Sequence, residues 1–300
     1  MNTRISALFS ALIFSSSLAL AAAPDECVFS TPDDAVKALT AALKSNDESA
    51  LVQIFGERNK DLVITSDKAA ALESRQQALK SIETSLFQRQ DSDNKITLVM
   101  GANAWPMPIP LVKDSAGWHF DSEQGATELI NRRIGDSELA AIEVLRAYPA
   151  AQRQFAASAR DASKVRSFAR NILSSPGKKD GLYWESDASK NEQASPFGPL
   201  IADGASRNAG DPYHGYYFKI LTAQGAKAPG GKYSYLINGR LLAGFAMIAW
   251  PADYASSGVK TFIVNHYGDV YEKDLGANTA KIAKGINEYN PDASWNQVSD

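Results

Sequence analysis

The sequence predicts an α+β protein in two parts: a helix-rich N-terminal α+β region, then a long helix packed on an antiparallel β-meander. Three observations predict it. Residues 31–88 carry capped runs with apolar side chains at helical spacing, and at Lys95 the pattern changes to a β-rich run. Residues 211–276, beginning DPYHGYYFKI, form several short aromatic-rich runs cut by turn signals. At about 150 residues per domain, a chain of 300 residues also suggests two domains. Each is large enough to bury its own core.

The N-terminus, MNTRISALFSALIFSSSLALAAAPDEC, has a basic start at Arg4, an apolar run from Ile5 to Leu20 and a small-residue stretch ending at Ala23. This is the pattern of a cleavable secretory signal peptide over residues 1–23, which predicts a periplasmic or secreted protein. The run is shorter than the roughly 20 apolar residues a membrane anchor needs. Cys27 follows Pro24, Asp25 and Glu26 instead of the small residue of a lipoprotein signal. No second apolar span follows, so a soluble mature chain without a transmembrane segment is expected. Cys27 is the only cysteine, so no intramolecular disulfide can form. The formal net charge is −3, and losing Arg4 makes it one more negative. That mildly acidic balance argues against nucleic-acid binding.

In FSTPDDAVKALTAALKSND, Thr31 is the N-cap, Pro32 the first helical residue, and Asp33 and Asp34 complement the helix dipole. Ala35, Leu39, Ala42 and Leu43 recur at helical spacing. A second helix begins at Asp47-Glu48, runs through Leu51, Ile54 and Phe55, and stops at Gly56. A third is predicted from Ser66 to about Gln88, with Ala70, Ile82, Leu86 and Phe87 on one side. Strands follow at 95–100, 109–113 and 118–120, the last two flanking an Asp114–Gly117 turn. The WPMPIP segment at 105–110 either lines a pocket with the Trp105 indole and a thioether or forms a proline-stiffened edge strand. Trp105 is therefore a candidate binding residue.

Gly135 is expected to end one helix and Asp136 or Ser137 to cap the next. This places the domains at 28–135 and 136–300. Leu139, Ile142, Leu145 and Tyr148 line one face of the second helix, with Phe155 further along. Pro149 is expected to bend or split it, at about 3 kcal/mol in a helix interior. Residues 171–210, rich in Ser, Gly, Pro and Asp, read as a long loop, either a lid or partner surface or a segment anchored through Tyr183 and Trp184. In the meander, Asn238-Gly239 suits a tight hairpin, His266–Asp269 turns the chain again, and Pro251 closes the central strand.

Residues carrying GYYFKI and GFAMIAWPADYASSGVKTFIVNHYGDVYEKDLG, with PYHGYYF, NGR, AWP and DLG, resemble an uncharacterised family of bacterial exported proteins, a domain-of-unknown-function family. The likeness extends to Trp105-Pro106 and Arg132–Gly135, covers most of the chain after the signal, and implies no catalytic residues. The helix-first order of the N-terminal part is similar to the cone-shaped nuclear-transport-factor-like folds, which often hold a pocket. The long helix before a Gly-Tyr-x-Phe meander is similar to the globular head of type IV pilins and pseudopilins. This chain lacks their hydrophobic stalk.

His119, His214 and His266 are the only histidines. A site sharing His214, Asp253 and His266 would make the protein an envelope hydrolase, but no pair has metal-ligand spacing. Neither a nucleophile elbow, a phosphate loop nor a dinucleotide fingerprint occurs, so no cofactor and no metal are expected. Tyr213, Tyr216, Tyr217, Phe218, Tyr233, Tyr235 and Tyr254 either build a stacking platform for a glycan or peptide or pack as cross-strand pairs. Trp184, Tyr213, Tyr216 and Tyr217 are the binding candidates. The function expected is a non-catalytic exported envelope protein that binds an envelope protein or glycan through an aromatic sheet surface or loop. The alternatives are the hydrolase and a small-ligand carrier using the N-terminal domain.

Overall fold

The computed structural model describes residues 26–64, 68–157, 164–186, 189, 192–198 and 211–299, the side chains of 69 and 70 excepted. The expected signal segment, the start of the third helix at Ser66 and the loop residues 199–210 lie outside these. The protein is α+β, with helices and mainly antiparallel sheets. It divides into two compact units, one ending at Ala126 and one beginning at Thr127.

In the first unit, α1 (Pro32–Ser45) starts where Thr31 Oγ1 accepts a hydrogen bond from the Asp34 N–H, and it ends at Asn46 with φ 51°. The carboxylate of Asp47 accepts from the Ala50 N–H and caps α2 (Glu48–Phe55), which stops at Gly56 with φ 86°. A 3₁₀ turn, Glu57–Leu62, leads on. Helix α3 (Lys68–Thr84) ends before Leu86, sooner than the periodicity suggests. The next seven residues form strand β1 (Leu86–Ser92) because β2 (Lys95–Met100) lies within hairpin reach and pairs with them from Leu86↔Met100 onward. Phe87 therefore stands half-exposed on a strand instead of on a buried helix face.

β3 (Trp105–Pro106), β4 (Leu111–Lys113) and β5 (Trp118–Phe120) complete a sheet in the order β1-β2-β4-β5, with β3 also on β2. Ile96, Leu98, Leu111 and Phe120 pack on Leu39, Leu51 and Phe55, and Phe55 meets Phe120 edge to face at 5.4 Å. Burying such side chains contributes roughly 1.5–3 kcal/mol each.

Helix α4 (Ser122–Ala156) is unbroken through Gly135, Asp136, Ser137 and Pro149, which corrects the expected break. Gly135 has no positive φ and open space around it. A glycine in a helix costs only about 1 kcal/mol, which good helix formers on both sides offset. Pro149 is buried within a packed face that includes Leu145, Tyr148, Ala151 and Phe155, whose burial outweighs the lost ladder bond.

The second unit is organised by a five-stranded antiparallel sheet in the order β17-β15-β14-β13-β8. Its strands are β8 (Tyr216–Leu221), β13 (Ala246–Pro251), β14 (Lys260–Asn265), β15 (Val270–Asp274) and β17 (Asn296–Gln297). The intervening short strands are β9 (Ala223–Gln224), β10 (Tyr233–Ser234), β11 (Leu236–Ile237), β12 (Arg240–Leu241) and β16 (Glu288–Tyr289). β6 (Asn171–Leu173) and β7 (Gly181–Tyr183) form a separate parallel pair. Asn238 and Gly239, at φ 49° and 77°, make the expected tight turn between β11 and β12.

All of β13 is buried. Tyr216, Met247, Ala249, Phe262 and Val264 share one core with Leu145 and Tyr148 of α4. Leu221, Ala246, Ile248, Trp250 and Ile263 share another with Tyr235, Leu241 and Tyr289. Glu138 of α4 reaches β14, where Oε1 accepts from the Val259 and Lys260 N–H groups at 2.9 Å each.

A buried polar network ties α4 to the chain that follows it. Gln152 Nε2 donates to the Tyr148 hydroxyl at 2.9 Å and to the Ala169 carbonyl at 3.0 Å, while Gln152 Oε1 accepts from the Ala169 N–H at 2.8 Å. Tyr148 in turn donates to the Ala246 carbonyl at 3.2 Å. Replacing Gln152 by Ala strands the Ala169 backbone in a dry core, so we expect a loss of about 1–3 kcal/mol in urea unfolding. A change below about 0.5 kcal/mol would show that the network adds nothing.

Candidate functional site

The first unit contains a cavity of about 320 Å³ between its helices and sheet. Leu39 and Leu43 of α1, Phe55 of α2, Ala78 of α3, and Met100 and Met107 line it. The same amphipathic spacing that forms the helices turns these side chains inward, but α3 does not close fully onto the sheet. Met100 and Met107 are unbranched thioethers that adapt to irregular occupants.

Arg75 closes one side. Its side chain is 11% exposed, and Nη2 donates to Glu48 Oε1 at 2.9 Å. Nε donates to Asn46 Oδ1 at 2.7 Å and Nη1 to the Val63 carbonyl at 3.3 Å. The guanidinium thus spends its donors tying α3 to the α1–α2 turn and the segment after the 3₁₀ turn. Its charge is matched by Glu48, which leaves the interior apolar.

Trp105 is exposed on β3 and does not line the cavity. Its ladder partner Met100 does, as does Met107 two residues on. The sequence reading of WPMPIP therefore holds for the thioether and not for the indole.

In the second unit the sheet register separates the predicted polar residues. His214, with φ 44°, lies in the turn before Tyr216, which pairs with Pro251. His266 follows Asn265, which pairs with Ala246, and Ala246 pairs with Leu221. The two histidines lie at opposite ends of the sheet, roughly 17 Å apart along β8 at about 3.3 Å per residue. Asp253 sits at the His214 end, where the Ala252 N–H and the Ser257 hydroxyl both donate to the Gly215 carbonyl at 2.9 Å. His214, Asp253 and His266 therefore do not converge, and a shared acid–base site would need them to. Among the described residues no three His, Cys, Asp or Glu side chains come together to hold a metal. None of the described helices is long and apolar enough to cross a membrane.

The aromatic candidates are largely packing groups. Tyr216 is fully buried, and its hydroxyl donates to the Lys260 carbonyl at 2.8 Å. Burial, reinforced by Glu138, pushes that hydroxyl far above the ordinary tyrosine range. Tyr217 is half-buried against Trp250, with ring centres 5.8 Å apart. Tyr213 is half-buried and meets the His214 ring edge to face at 4.3 Å. Trp184 is buried, its indole N–H donating to the Gln193 carbonyl at 2.9 Å, and Leu182, Trp184 and Phe197 belong to the core. Both sheet faces are covered, and these side chains form no open platform. Arg75 and the α3 cavity wall were missed in the sequence because α3 has a weakly patterned, mostly polar run, KAAALESRQQALKSIET.

A family description, protein of unknown function (DUF2950), matches residues 26–298. No curated protein and no solved structure matches the chain.

His266 gives a pH test of this geometry. Its ring lies among Tyr235, Phe245 and Tyr267, its Nδ1 is buried without a hydrogen-bond partner, and its carbonyl accepts from Arg153 Nη2 at 2.9 Å. Burial, with the nearby Arg153 charge, holds its pKa below the ordinary 6.5. The unfolded chain therefore takes the proton first as pH falls. Stability from the neutral ring is complete above about pH 6.5 and is lost progressively below it. We expect the fall in Tm between pH 7 and pH 5 to be smaller in His266→Gln than in the parent; equal falls would sink this assignment.

Proposed function

The chain belongs to this family of proteins of unknown function, and we propose that it is an exported, non-catalytic binding protein that carries a small apolar ligand in its first unit. The observation that carries the reading is the cavity between α1, α2, α3 and Met100 and Met107, whose one neighbouring charge, Arg75, is already paired with Glu48. A concave, mostly apolar space of this size, open on one side, is the form small-molecule sites commonly take. Its volume suits a compact hydrophobe or a short acyl chain.

Export rests on residues 1–23, whose basic start, apolar run and small-residue end have the pattern of a signal peptide. A long helix laid on an antiparallel meander is the arrangement that the pilin-head likeness implies, and it supports a scaffold role for the second unit. The lack of convergence among His214, Asp253 and His266 favours binding over hydrolysis. The buried state of Tyr216 and Trp184 favours the cavity over an aromatic sheet surface as the place where the ligand sits.

Titration with N-phenyl-1-naphthylamine, whose fluorescence rises in apolar surroundings, tests the reading. The parent protein is expected to saturate at one probe per chain. Ala78→Phe, which fills the cavity, is expected to weaken binding at least tenfold while melting within a few degrees of the parent. Saturable binding unaffected by Ala78→Phe, or none in the parent, overturns the proposal.

A further inference from the structure

Strand β1 lies at an edge of the first unit's sheet, where β2 is its only strand partner among the described residues. It has seven residues, and all but Leu86 are exposed. Natural sheets guard such edges because unpaired N–H and C=O groups template another strand. This edge has no proline and no lysine, and its guards, Arg89, Asp91 and the bulge after Gln90, leave Leu86 to Gln88 bare with Phe87 at 50% exposure.

The hydrogen-bond pattern shows which backbone groups face outward. The Leu98 carbonyl accepts from the Met107 N–H at 2.8 Å, so Leu98 points its main chain away from β1. Its ladder partner is Gln88. In an antiparallel ladder, bonded and non-bonded pairs alternate. The main-chain groups of Leu86, Gln88 and Gln90 therefore face outward, while those of Phe87 and Arg89 are used on β2.

We propose that β1 is a self-association edge on which a second copy of this chain adds its own β1, antiparallel and with a two-fold axis through Gln88. Only registers that oppose outward-facing groups are allowed, which leaves axes through residues 87, 88, 89 or 90, and an axis at Phe87 pairs only residues 86 to 88 of the strand. An axis at Arg89 opposes two guanidinium groups at the closest cross-strand position. An axis at Gln90 runs into the bulge between Gln90 and Ser92, which takes Asp91 out of register. The axis at Gln88 uses only the regular part of the strand. It pairs Leu86 with Gln90 of the second copy, and Gln88 with its own mate. It also sets Phe87 opposite Arg89, where the guanidinium covers the exposed ring. Arg89 is already turned along this face, its Nε donating to Asp91 Oδ1 at 2.9 Å.

Five residues per copy form a small interface, so the association is concentration-dependent. Sedimentation equilibrium of the purified protein from about 1 µM to 1 mM is expected to show a monomer–dimer equilibrium. Gln88→Pro removes an outward N–H without touching the β1–β2 ladder, along with the Gln88 Nε2 bond to Asp33 Oδ1 at 2.6 Å that Gln88→Ala removes alone, and Phe87→Lys sets a charge against Arg89. Gln88→Pro relative to Gln88→Ala, and Phe87→Lys relative to the parent, are each expected to weaken dimerisation at least tenfold, with a matching far-ultraviolet circular dichroism spectrum and Tm. Should Gln88→Pro fail to fold, Phe87→Lys alone decides. A monomer throughout the range, or a dimer unchanged by Phe87→Lys, overturns the proposal.

Discussion

Everything in the second unit depends on one strand having no exposed face. β13 reads AMIAWP and is buried at every position. Adjacent side chains on a strand point in opposite directions, so such a strand must be covered twice. Met247 and Ala249 require the α4 face with Leu145 and Tyr148, and Ile248 and Trp250 require Tyr235, Leu241 and Tyr289. The rest of the unit supplies these covers. The short strands β9 to β12 and β16 look irregular in sequence because their work is to lay Tyr235, Leu241 and Tyr289 over the sheet. The same requirement explains why the tyrosine-rich block presents little of itself to solvent.

The polar contacts inside that unit are positioned to satisfy backbone groups which the double covering leaves dry. Gln152 serves Ala169, Glu138 serves the N–H groups entering β14, and Gln224 Nε2 donates to the Pro229 and Gly231 carbonyls at 2.6 and 2.8 Å. Tyr235 completes the last set by donating to Gln224 Oε1 at 3.0 Å. Gly258 shows how tightly the same region is packed: a Cβ there would lie 2.2 Å from the Tyr216 hydroxyl oxygen. Such close fits specify one arrangement of the meander against α4.

What was legible in the sequence is what local chemistry decides. Thr31, Asp47 and Gly56 mark helix ends because side-chain or backbone geometry at one residue settles them, and Asn238-Gly239 marks a hairpin for the same reason. Where distant packing decides, local signals misled. Gly135 and Pro149 look like breaks, but α4 runs on through both, its later turns packed on the core it covers. Phe87 has a helical neighbour pattern, but β2 recruits it into a hairpin. A pocket in the first unit was legible only through the likeness and the 105–110 segment, and its α3 wall was not, because a void depends on how far α3 stands from the sheet, which no single residue encodes. The separation of His214 from His266 became visible only once the strand register was known.

The hydrogen bond from the Tyr148 hydroxyl to the Ala246 carbonyl joins residues 98 positions apart in the chain. Those from Glu138 to Val259 and Lys260 span more than 120. α4 is thus made early, and its cover arrives only after most of the chain has followed. Closing loops of this length must precede any return from the core, which makes folding of the second unit slow. The first unit has α1, α2 and the β1–β2 hairpin close together in sequence, and its bridge from Phe29 to Trp118 spans 89 positions, fewer than the Glu138 contacts. During synthesis from the N-terminus, the order of emergence then becomes an order of folding, with the first unit's cavity taking shape before the long helix acquires its sheet.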